Sequence, residues 1–289
     1  MNPELGVYPS VPFSTYTSWD AVNSSRLNKM TNGSPKHFER NLQESSSSLN
    51  LGRVYHSLVL TPENFSSEFL LQEKCFGQTA KGDRCKKAGQ VVFEGHQFCK
   101  THAPSAYLGS DNSTQIVPVS AWDTAHRMME ATLGFGLAAD LLGDTQREIG
   151  YVWEEPTSGL VCKGLIDADN VDADAIIDLK STRGVSPDEF KRSILKYGYH
   201  RQAAFYLNGA SHVNRGRENF FWVAQESVGP FDCVVYKPTQ EMLDDAAQTL
   251  FRWLNDIGNC VTNDKWPGFG EYGVIELDLP GWMKPRDEE

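Results

Sequence analysis

Two apolar runs separated by a short polar stretch constrain the fold of this 289-residue chain most strongly. Residues 160–166 and 175–180 are rich in Ile, Leu and Val, and both have the length of buried strands. The Asn and Asp residues between them favour a turn, so the sequence predicts a β-hairpin. Asp167 follows the first run, and Asp178 and Lys180 lie in the second. Because alternate side chains leave the same face of a strand, Asp178 and Lys180 should lie side by side, with Asp167 nearby.

These three side chains suit catalysis by a divalent metal ion. Carboxylate oxygens such as those of Asp167 and Asp178 are hard ligands for Mg²⁺, which keeps part of its coordination shell for water and substrate phosphate. A metal ion held in this way acidifies a bound water and stabilises charge on a scissile phosphate. Lys180 would orient that water and offset the developing negative charge. The alternative is a plain ion pair between Asp178 and Lys180 at the end of a strand.

The segment after the hairpin has the signals of one helix over residues 187–207. Ser186 is a suitable N-cap, Pro187 occupies the first helical position and two acidic residues follow. Residues four apart share a helix face, which aligns Gln202 with Tyr206. The same spacing aligns Arg192, Lys196 and His200, and the segment also carries Lys191 and Arg201. A solvated Gln202 and a half-buried Tyr206 without a role in function are the alternative.

Three sequence patterns together resemble the PD-(D/E)xK nuclease superfamily. They are GLID at residues 164–167, IIDLK at residues 176–180 and HRQAAFY at residues 200–206. Within the superfamily the patterns are similar to the RecE-like (exonuclease VIII) branch, which is related to the RecB nuclease domain and lambda exonuclease. Further segments of that branch resemble residues 24–38, 52–62, 265–268 and 279–282. The resemblance implies an α/β fold with a mixed β-sheet core flanked by helices.

The resemblance also implies roles for individual residues around the hairpin. His56, Asp167 and Asp178 would bind Mg²⁺ or Mn²⁺, and Lys180 would be the catalytic lysine. A neutral imidazole beside two carboxylates is chemically reasonable, because it fills a coordination position without adding charge. Glu148 resembles an auxiliary active-site acid of the family. The alternatives are a structural histidine and an ordinary exposed glutamate.

The same resemblance assigns DNA binding to the helix after the hairpin. The implied DNA-binding residues are Gln202, Tyr206, Arg192, Lys196 and Arg201. The chain as a whole has 27 basic and 38 acidic residues and a net charge of −11, which opposes binding to phosphate. The local cluster of basic side chains on this helix is therefore the expected contact with DNA.

An insert with three cysteines and a histidine predicts a second, structural metal site. Cys75, Cys85, Cys99 and His102 lie within 28 residues, and in a protein of the reducing cytoplasm such a group favours zinc over disulfides. His96 is a competing ligand, and reduced thiols without metal are the alternative. Between residues 74 and 102 there are six Lys or Arg and two acidic residues, so the insert is locally basic.

The expected organisation has three parts. Residues 1–72 would form the N-terminal part of the nuclease domain, residues 73–104 the zinc-binding insertion (the finger), and residues 105–289 the nuclease core. Local patterns further predict a loop over residues 43–50, a helix near residues 121–142, a pair of strands near residues 219–224 and 231–236, and a helix from about Thr239 to Asn255. The sequence contains neither an apolar run of about 18 residues nor a signal peptide, which predicts a cytoplasmic protein without a membrane segment. By resemblance its setting is a bacterial host cell, with a phage or prophage as the source.

The expected function is a metal-dependent exodeoxyribonuclease acting on the ends of linear double-stranded DNA. By resemblance it would degrade 5′ to 3′, leave 3′ single-stranded tails, and serve a single-strand annealing protein of the RecT type in recombination. The resemblance further implies a homo-oligomer, such as a tetrameric ring. The alternatives are a non-catalytic or regulatory DNA-binding module on a nuclease fold, and an endonuclease or CRISPR-adaptation-type nuclease. That last class commonly binds an iron–sulfur cluster through four cysteines, which suits the Cys₃His set less well.

Overall fold

A six-stranded mixed sheet forms the centre of the computed structural model, which describes residues 3–40, 47–105 and 115–278. The strands are β1 (Gly6–Tyr8), β2 (Phe69–Leu71), β3 (Val91–Phe93), β4 (His96–Phe98), β5 (Gln115–Val117), β6 (Gln146–Glu154), β7 (Val161–Asn170), β8 (Ala175–Thr182), β9 (Asn219–Glu226) and β10 (Cys233–Tyr236). The helices are α1 (Phe13–Ser18), α2 (Ser24–Leu27), α3 (Pro35–Arg40), α4 (Ser47–Leu60), α5 (Phe65–Glu68), α6 (Val119–Gly134), α7 (Gly136–Leu142), α8 (Pro187–Tyr197), α9 (Tyr199–His212) and α10 (Gln240–Asn263). Short 3₁₀ turns cover Asn28–Met30, Pro62–Asn64 and Phe269–Tyr272.

The central sheet has the strand order β1-β6-β7-β8-β9-β10. Every neighbouring pair is antiparallel except β8 and β9, which are parallel. A parallel pair needs a long crossover connection, and helices α8 and α9 supply it. The predicted hairpin is confirmed, because β7 and β8 pair through Ala168 with Ile177 and Asn170 with Ala175. The strands predicted near residues 219–224 and 231–236 are also present as the antiparallel pair β9 and β10.

Helices cover both faces of the sheet. On one face, α8, α9 and α10 pack against strand residues such as Ile176 and Trp222. On the other face, α4, α6 and α7 pack against Ile177 and Leu179. Alternate residues of β8 therefore serve two separate hydrophobic layers, which is why this strand is apolar along nearly its whole length. The predicted mixed α/β architecture is thus observed.

Two predicted helices are each divided in the structure. The helix predicted for residues 187–207 is broken at Gly198, whose φ of 71° ends α8 and begins α9. A left-handed residue at this position redirects the chain, so His200 belongs to a different helix from Lys196. The helix predicted near residues 121–142 is similarly divided between α6 and α7. The helix after Thr239 extends to Asn263, beyond the predicted end near residue 255.

The finger is inserted between β2 and β5, which pair with each other in parallel. Inside it, β3 and β4 form a small antiparallel hairpin. The loop predicted for residues 43–50 lies partly outside the described residues, and from Ser47 onward the chain belongs to α4. The resembling segment at residues 279–282 also lies outside the described residues. In the described part of the chain, every helix is too short or too polar to span a bilayer.

Candidate functional site

Asp178 and Lys180 lie together on β8, as the strand spacing predicts. Asp178 is 1% exposed, and Lys180 Nζ lies 2.5 Å from Asp178 Oδ2. Apart from this contact with Lys180, Asp178 Oδ2 has no hydrogen-bond partner among the described residues. One lysine balances one carboxylate, and a metal ion would supply the further positive charge that Asp167 and Asp178 together require. Asp178 therefore fits a metal-binding position.

Asp167 and His56 complete the cluster from two other elements. Asp167 Oδ2 accepts a hydrogen bond of 2.8 Å from the Leu179 backbone N–H, which fixes the carboxylate beside β8. His56 extends from α4 and places Nδ1 at 3.6 Å from Asp167 Oδ2. The fold thus brings the three predicted metal ligands and the predicted catalytic lysine together in one cluster, which is named the catalytic site after this predicted role (His56, Asp167, Asp178 and Lys180).

The electrostatics of the catalytic site favour a neutral histidine among carboxyl groups that lack solvent. Burial raises the pKa of both Asp167 and Asp178 to about 6. Burial and the neighbouring Lys180 charge lower the pKa of His56 to about 4, so the imidazole is neutral and able to act as a ligand. Burial alone would lower the pKa of Lys180, but the nearby acids raise it, so the ammonium group keeps its charge.

Glu148, on β6, lies directly opposite Asp167 on the neighbouring strand β7. In the register of β6 and β7, Arg147 pairs with Ala168 and Ile149 pairs with Ile166, so Glu148 falls opposite Asp167. Its φ of 50° is unusual for a residue with a side chain and interrupts the regular ladder. Burial raises the pKa of Glu148 to about 8, with further contributions from the charges of Asp167 and Glu68. Glu148 thus lies within β6 rather than before the strands, and Glu68 is an additional nearby acid that the sequence patterns did not reveal.

Tyr199 is a further site residue that the sequence interpretation missed. Lys180 Nζ lies 4.7 Å from the centre of the Tyr199 ring. The Tyr197 ring stacks on the Tyr199 ring, with ring centres 5.6 Å apart. An ammonium group over an aromatic ring is stabilised by the ring quadrupole. The ring is brought there by the break at Gly198. The sequence shows two tyrosines at positions 197 and 199. Their position beside Lys180 becomes evident only once the helix break at Gly198 is known.

Gln202 and Tyr206 are adjacent on α9, as predicted. Gln202 Nε2 donates a hydrogen bond of 3.1 Å to the Tyr206 hydroxyl. Tyr206 is 7% exposed, and a Cβ added at Gly164 would lie 3.1 Å from its ring. The tyrosine therefore packs on β7 directly beneath the catalytic strands. Its role in binding DNA stays a prediction.

The predicted DNA-binding basic residues are placed in two different environments. Arg192 and Lys196 are exposed on α8. Arg201 is 9% exposed, and its guanidinium donates to Asn28 Oδ1 at 2.9 Å and to Thr31 Oγ1 at 3.0 Å. Arg201 therefore fastens α9 to the N-terminal segment, which gives it a structural role beside the predicted contact with DNA.

The finger contains a compact group of metal-binding side chains. The ligand atoms of Cys75, Cys85, Cys99 and His102 all lie within 4.8 Å of one another, and among the described residues this is the one group of three or more that is so compact. His96 instead stacks on Phe76, which favours His102 as the fourth ligand. Three thiolates and one imidazole are a donor set of tetrahedral structural metal sites.

Among the described residues, the ligand atoms of the catalytic site do not form a group as compact as that of the finger, and Lys180 Nζ lies against Asp178. Its donors are hard oxygens and one imidazole, which suit Mg²⁺ or Mn²⁺ better than the soft thiolates of the finger do. The molecule thus presents two chemically different candidate metal sites.

Comparison with known proteins identifies the family and related folds. Residues 13–273 match the family described as "PDDEXK-like domain of unknown function (DUF3799)". A "Putative exonuclease" from Eubacterium rectale has a similar fold, with a TM-score of 0.56 and 13% identity over 95% of this chain and 97% of the other. The structure of SSO0001 matches with a TM-score of 0.29 and 18% identity over 47% of this chain and 66% of the other. No curated protein matches the sequence.

The family match covers nearly all of the described chain, including every strand of the central sheet except β1 and the whole catalytic site. The segment Asp178-Leu179-Lys180 of β8 has an acid-x-lysine pattern like the one in the name of such domains. The fold and the family together support nuclease chemistry. The chain therefore belongs to the family of PDDEXK-like domains.

Proposed function

We propose that the protein is a metal-dependent exodeoxyribonuclease that degrades linear double-stranded DNA. One observation carries the proposal: Asp178 is 1% exposed, and among the described residues its Oδ2 has only the Lys180 ammonium as a polar partner, within a cluster completed by Asp167 and His56. A site of this composition has little structural use, because burying two carboxylates against a single ammonium group is unfavourable. Binding a metal ion offsets that cost.

The residues of the catalytic site divide the work of phosphodiester hydrolysis. His56, Asp167 and Asp178 would hold Mg²⁺ or Mn²⁺, which when bound supplies an acidified water and positive charge beside the phosphate. Lys180 keeps its ammonium group charged, directed by Asp178 on one side and the Tyr199 ring on the other. That charge orients the attacking water and offsets negative charge that develops on the phosphate.

Residues outside the ligand set would position the DNA. Gln202 and Tyr206 lie on α9 beneath the catalytic strands, and the exposed Arg192 and Lys196 provide positive charge on α8. Such contacts with phosphates fix the register of DNA without reading its sequence. The half-buried Glu148, opposite Asp167 on the neighbouring strand, would act as an auxiliary acid.

The mode of degradation is proposed from the likeness to RecE-type nucleases. We expect digestion from 5′ ends that leaves 3′ single-stranded tails for an annealing protein of the RecT type. A homo-oligomer, for example a tetrameric ring, would hold the duplex and make digestion processive. An acidic outer surface with a basic lining is compatible with the net charge of −11.

The finger is proposed to bind a structural zinc ion through Cys75, Cys85, Cys99 and His102. The group is compact, and the segment is too small to have a hydrophobic core of its own. A bound ion would take the place of that core.

One incubation tests the proposed activity. End-labelled linear, nicked and closed circular DNA of the same sequence are each incubated with the protein and Mg²⁺, with Asp178→Asn as the inactive control. We expect loss of the linear DNA only, and no reaction with the control variant. Nicking of closed circles at a comparable rate would indicate an endonuclease instead. Binding without cleavage of any substrate would indicate the non-catalytic module.

A further inference from the structure

The finger carries a strong local positive charge on an otherwise acidic chain. Between residues 74 and 102 it has six basic side chains, all exposed, and two acidic ones. Removing these eight from the totals leaves 21 basic and 36 acidic residues, a net charge of −15 for the rest of the chain. The basic side chains are Lys74, Lys81, Arg84, Lys86, Lys87 and Lys100. A net charge of +4 concentrated in so short a segment attracts polyanions.

The finger also exposes an aromatic side chain, Phe76, that is not needed to hold a structural metal ion. Phe76 is 48% exposed, its ring stacks on His96 with centres 3.8 Å apart, and the two planes differ by 6°. The guanidinium carbon of Arg84 lies 5.9 Å from the Phe76 ring centre. The cysteines of the finger are buried beneath this layer. Flat rings combined with arginine are the elements on which single-stranded bases stack.

The finger is held in a fixed orientation at its base. The side chain of Gln97, which is 6% exposed, donates to the Leu71 carbonyl at 2.7 Å and accepts from the Glu73 N–H at 2.8 Å. Gly89 N–H donates to the Glu73 carbonyl at 2.8 Å. These bonds join the β4 strand of the finger to β2, which pairs with β5 outside the finger. These hydrogen bonds therefore fix the orientation of the basic surface relative to β2 and β5.

The base of the finger lies next to the catalytic site. β2 begins at Phe69, directly after Glu68, whose charge contributes to the raised pKa of Glu148. Arg53, one turn before His56 on α4, places its guanidinium carbon 5.7 Å from the Phe69 ring centre. The root of the finger therefore lies close to the place where the catalytic site would hold DNA.

We propose that the finger is a second DNA-binding surface, which holds single-stranded DNA outside the catalytic site without reading its sequence. The basic side chains bind phosphates, and a base stacks on the aromatic layer of Phe76 and His96. The choice of DNA as the ligand rests on the proposed function. Cys75, Cys85, Cys99 and His102 would hold a metal ion whose part is to maintain the fold of this surface.

The test measures DNA affinity in the full-length protein without Mg²⁺ or chelator. The probe is a fluorescein-labelled 20-nucleotide oligothymidylate, with a 20-base-pair duplex as a second probe. One variant carries Lys81→Gln, Arg84→Gln and Lys86→Gln together, and a second carries Phe76→Ala. The matched control carries Lys237→Gln, Arg252→Gln and Lys265→Gln, which remove the same charge from exposed positions far from the finger in sequence.

The two kinds of contact give different signatures. The finger triple variant should raise the Kd for the single strand about tenfold or more and reduce the slope of log affinity against log salt by up to about 2, since each phosphate contact to a single strand contributes about 0.7. Phe76→Ala should raise the Kd about tenfold with an unchanged salt slope, because stacking contributes roughly 1–3 kcal/mol per base. The control triple should change neither quantity comparably.

Cleavage assays on the same variants separate this proposal from the proposed function. Equal single-strand affinity in the finger triple and the control triple, in a protein that cleaves DNA, would overturn the proposal while leaving the nuclease intact. The basic surface would then be assigned to an acidic protein partner. A wild-type protein that cleaves nothing, but loses single-strand binding in the finger variants, would support the finger and reject the nuclease. Metal content and thermal unfolding equal to wild type establish that each variant is folded.

Discussion

Lys180 Nζ lies between the carboxylate of Asp178 and the ring of Tyr199, at 2.5 Å from Asp178 Oδ2 and 4.7 Å from the ring centre. The lysine is therefore directed by one charged and one aromatic neighbour. We expect Tyr199→Phe to keep the cleavage rate within about twofold, because the ring remains. Tyr199→Ala should slow single-turnover cleavage about tenfold, consistent with a cation–π contribution of about 0.5–2 kcal/mol. Equal rates for both variants would show that the ring does not position the lysine.

The central prediction concerns the two residues of β8. Asp178→Asn should reduce cleavage about 10³-fold, because it weakens metal binding, and Lys180→Ala should reduce it about 10²-fold or more by removing charge beside the phosphate. Thermal unfolding should show that both proteins remain folded. As a comparison, Lys237→Ala removes an exposed lysine directly after β10, at the edge of the sheet, and should leave the rate unchanged. Near-normal turnover in either catalytic-site variant would exclude the proposed mechanism.

His56 is expected to act through the metal ion. His56→Ala should raise the Mg²⁺ concentration for half-maximal activity about tenfold or more, since loss of supporting metal contacts already costs about 10–100-fold in affinity. The matched control is His212→Ala, which removes an exposed histidine at the end of α9. If the Mg²⁺ titrations of both variants coincide with that of the wild type, His56 is not a ligand.

Gly198 should be intolerant of a side chain. Its φ of 71° lies in the left-handed region, and an added Cβ would overlap Asn28 Oδ1. We expect Gly198→Ala to lower the free energy of unfolding by about 2 kcal/mol, of which roughly 1 kcal/mol reflects the backbone conformation. Gly216→Ala is the control, since the nearest atom to its added Cβ is 3.9 Å away. Chemical denaturation of both variants measures the difference in their free energies of unfolding. Equal denaturation midpoints would contradict the prediction that position 198 requires glycine.

The finger should contain about one zinc ion per chain when the protein is purified without chelator. Cys85→Ser combined with Cys99→Ser should abolish the bound zinc, because two of four ligands are lost. Cys260→Ser, on α10, should retain it. Elemental analysis measures all three proteins. If the wild-type protein instead contains iron and absorbs visible light, the finger binds an iron–sulfur cluster and not zinc.

The elements nearest to the chemistry were the ones most readily predicted. The apolar runs that form β7 and β8, and the turn between them, follow from local composition, and the two-residue spacing of Asp178 and Lys180 gives their common face. The position of His56 beside Asp167 could not be predicted from local sequence, because α4 reaches the sheet only through tertiary packing. Family resemblance supplied that contact where local pattern could not.

The remaining differences arise from backbone geometry that composition does not encode. One glycine within an otherwise helical pattern reads as a tolerated defect, yet Gly198 adopts a left-handed conformation and turns Tyr199 toward Lys180. Arg201 resembled a surface cation because helix periodicity alone does not reveal the N-terminal segment that covers it. The position of Glu148 opposite Asp167 depends on strand register, which a single sequence specifies weakly.

The connectivity of the catalytic site has a consequence for the order in which the protein folds. β6, β7 and β8 are joined by short turns and can pair early, whereas His56 approaches Asp167 across about 110 residues that include the whole finger. Closing such a long loop has a large entropic cost, so this contact should form late. We therefore expect a refolding chain to acquire its sheet before its histidine, and to remain unable to cut DNA until the N-terminal helices have docked.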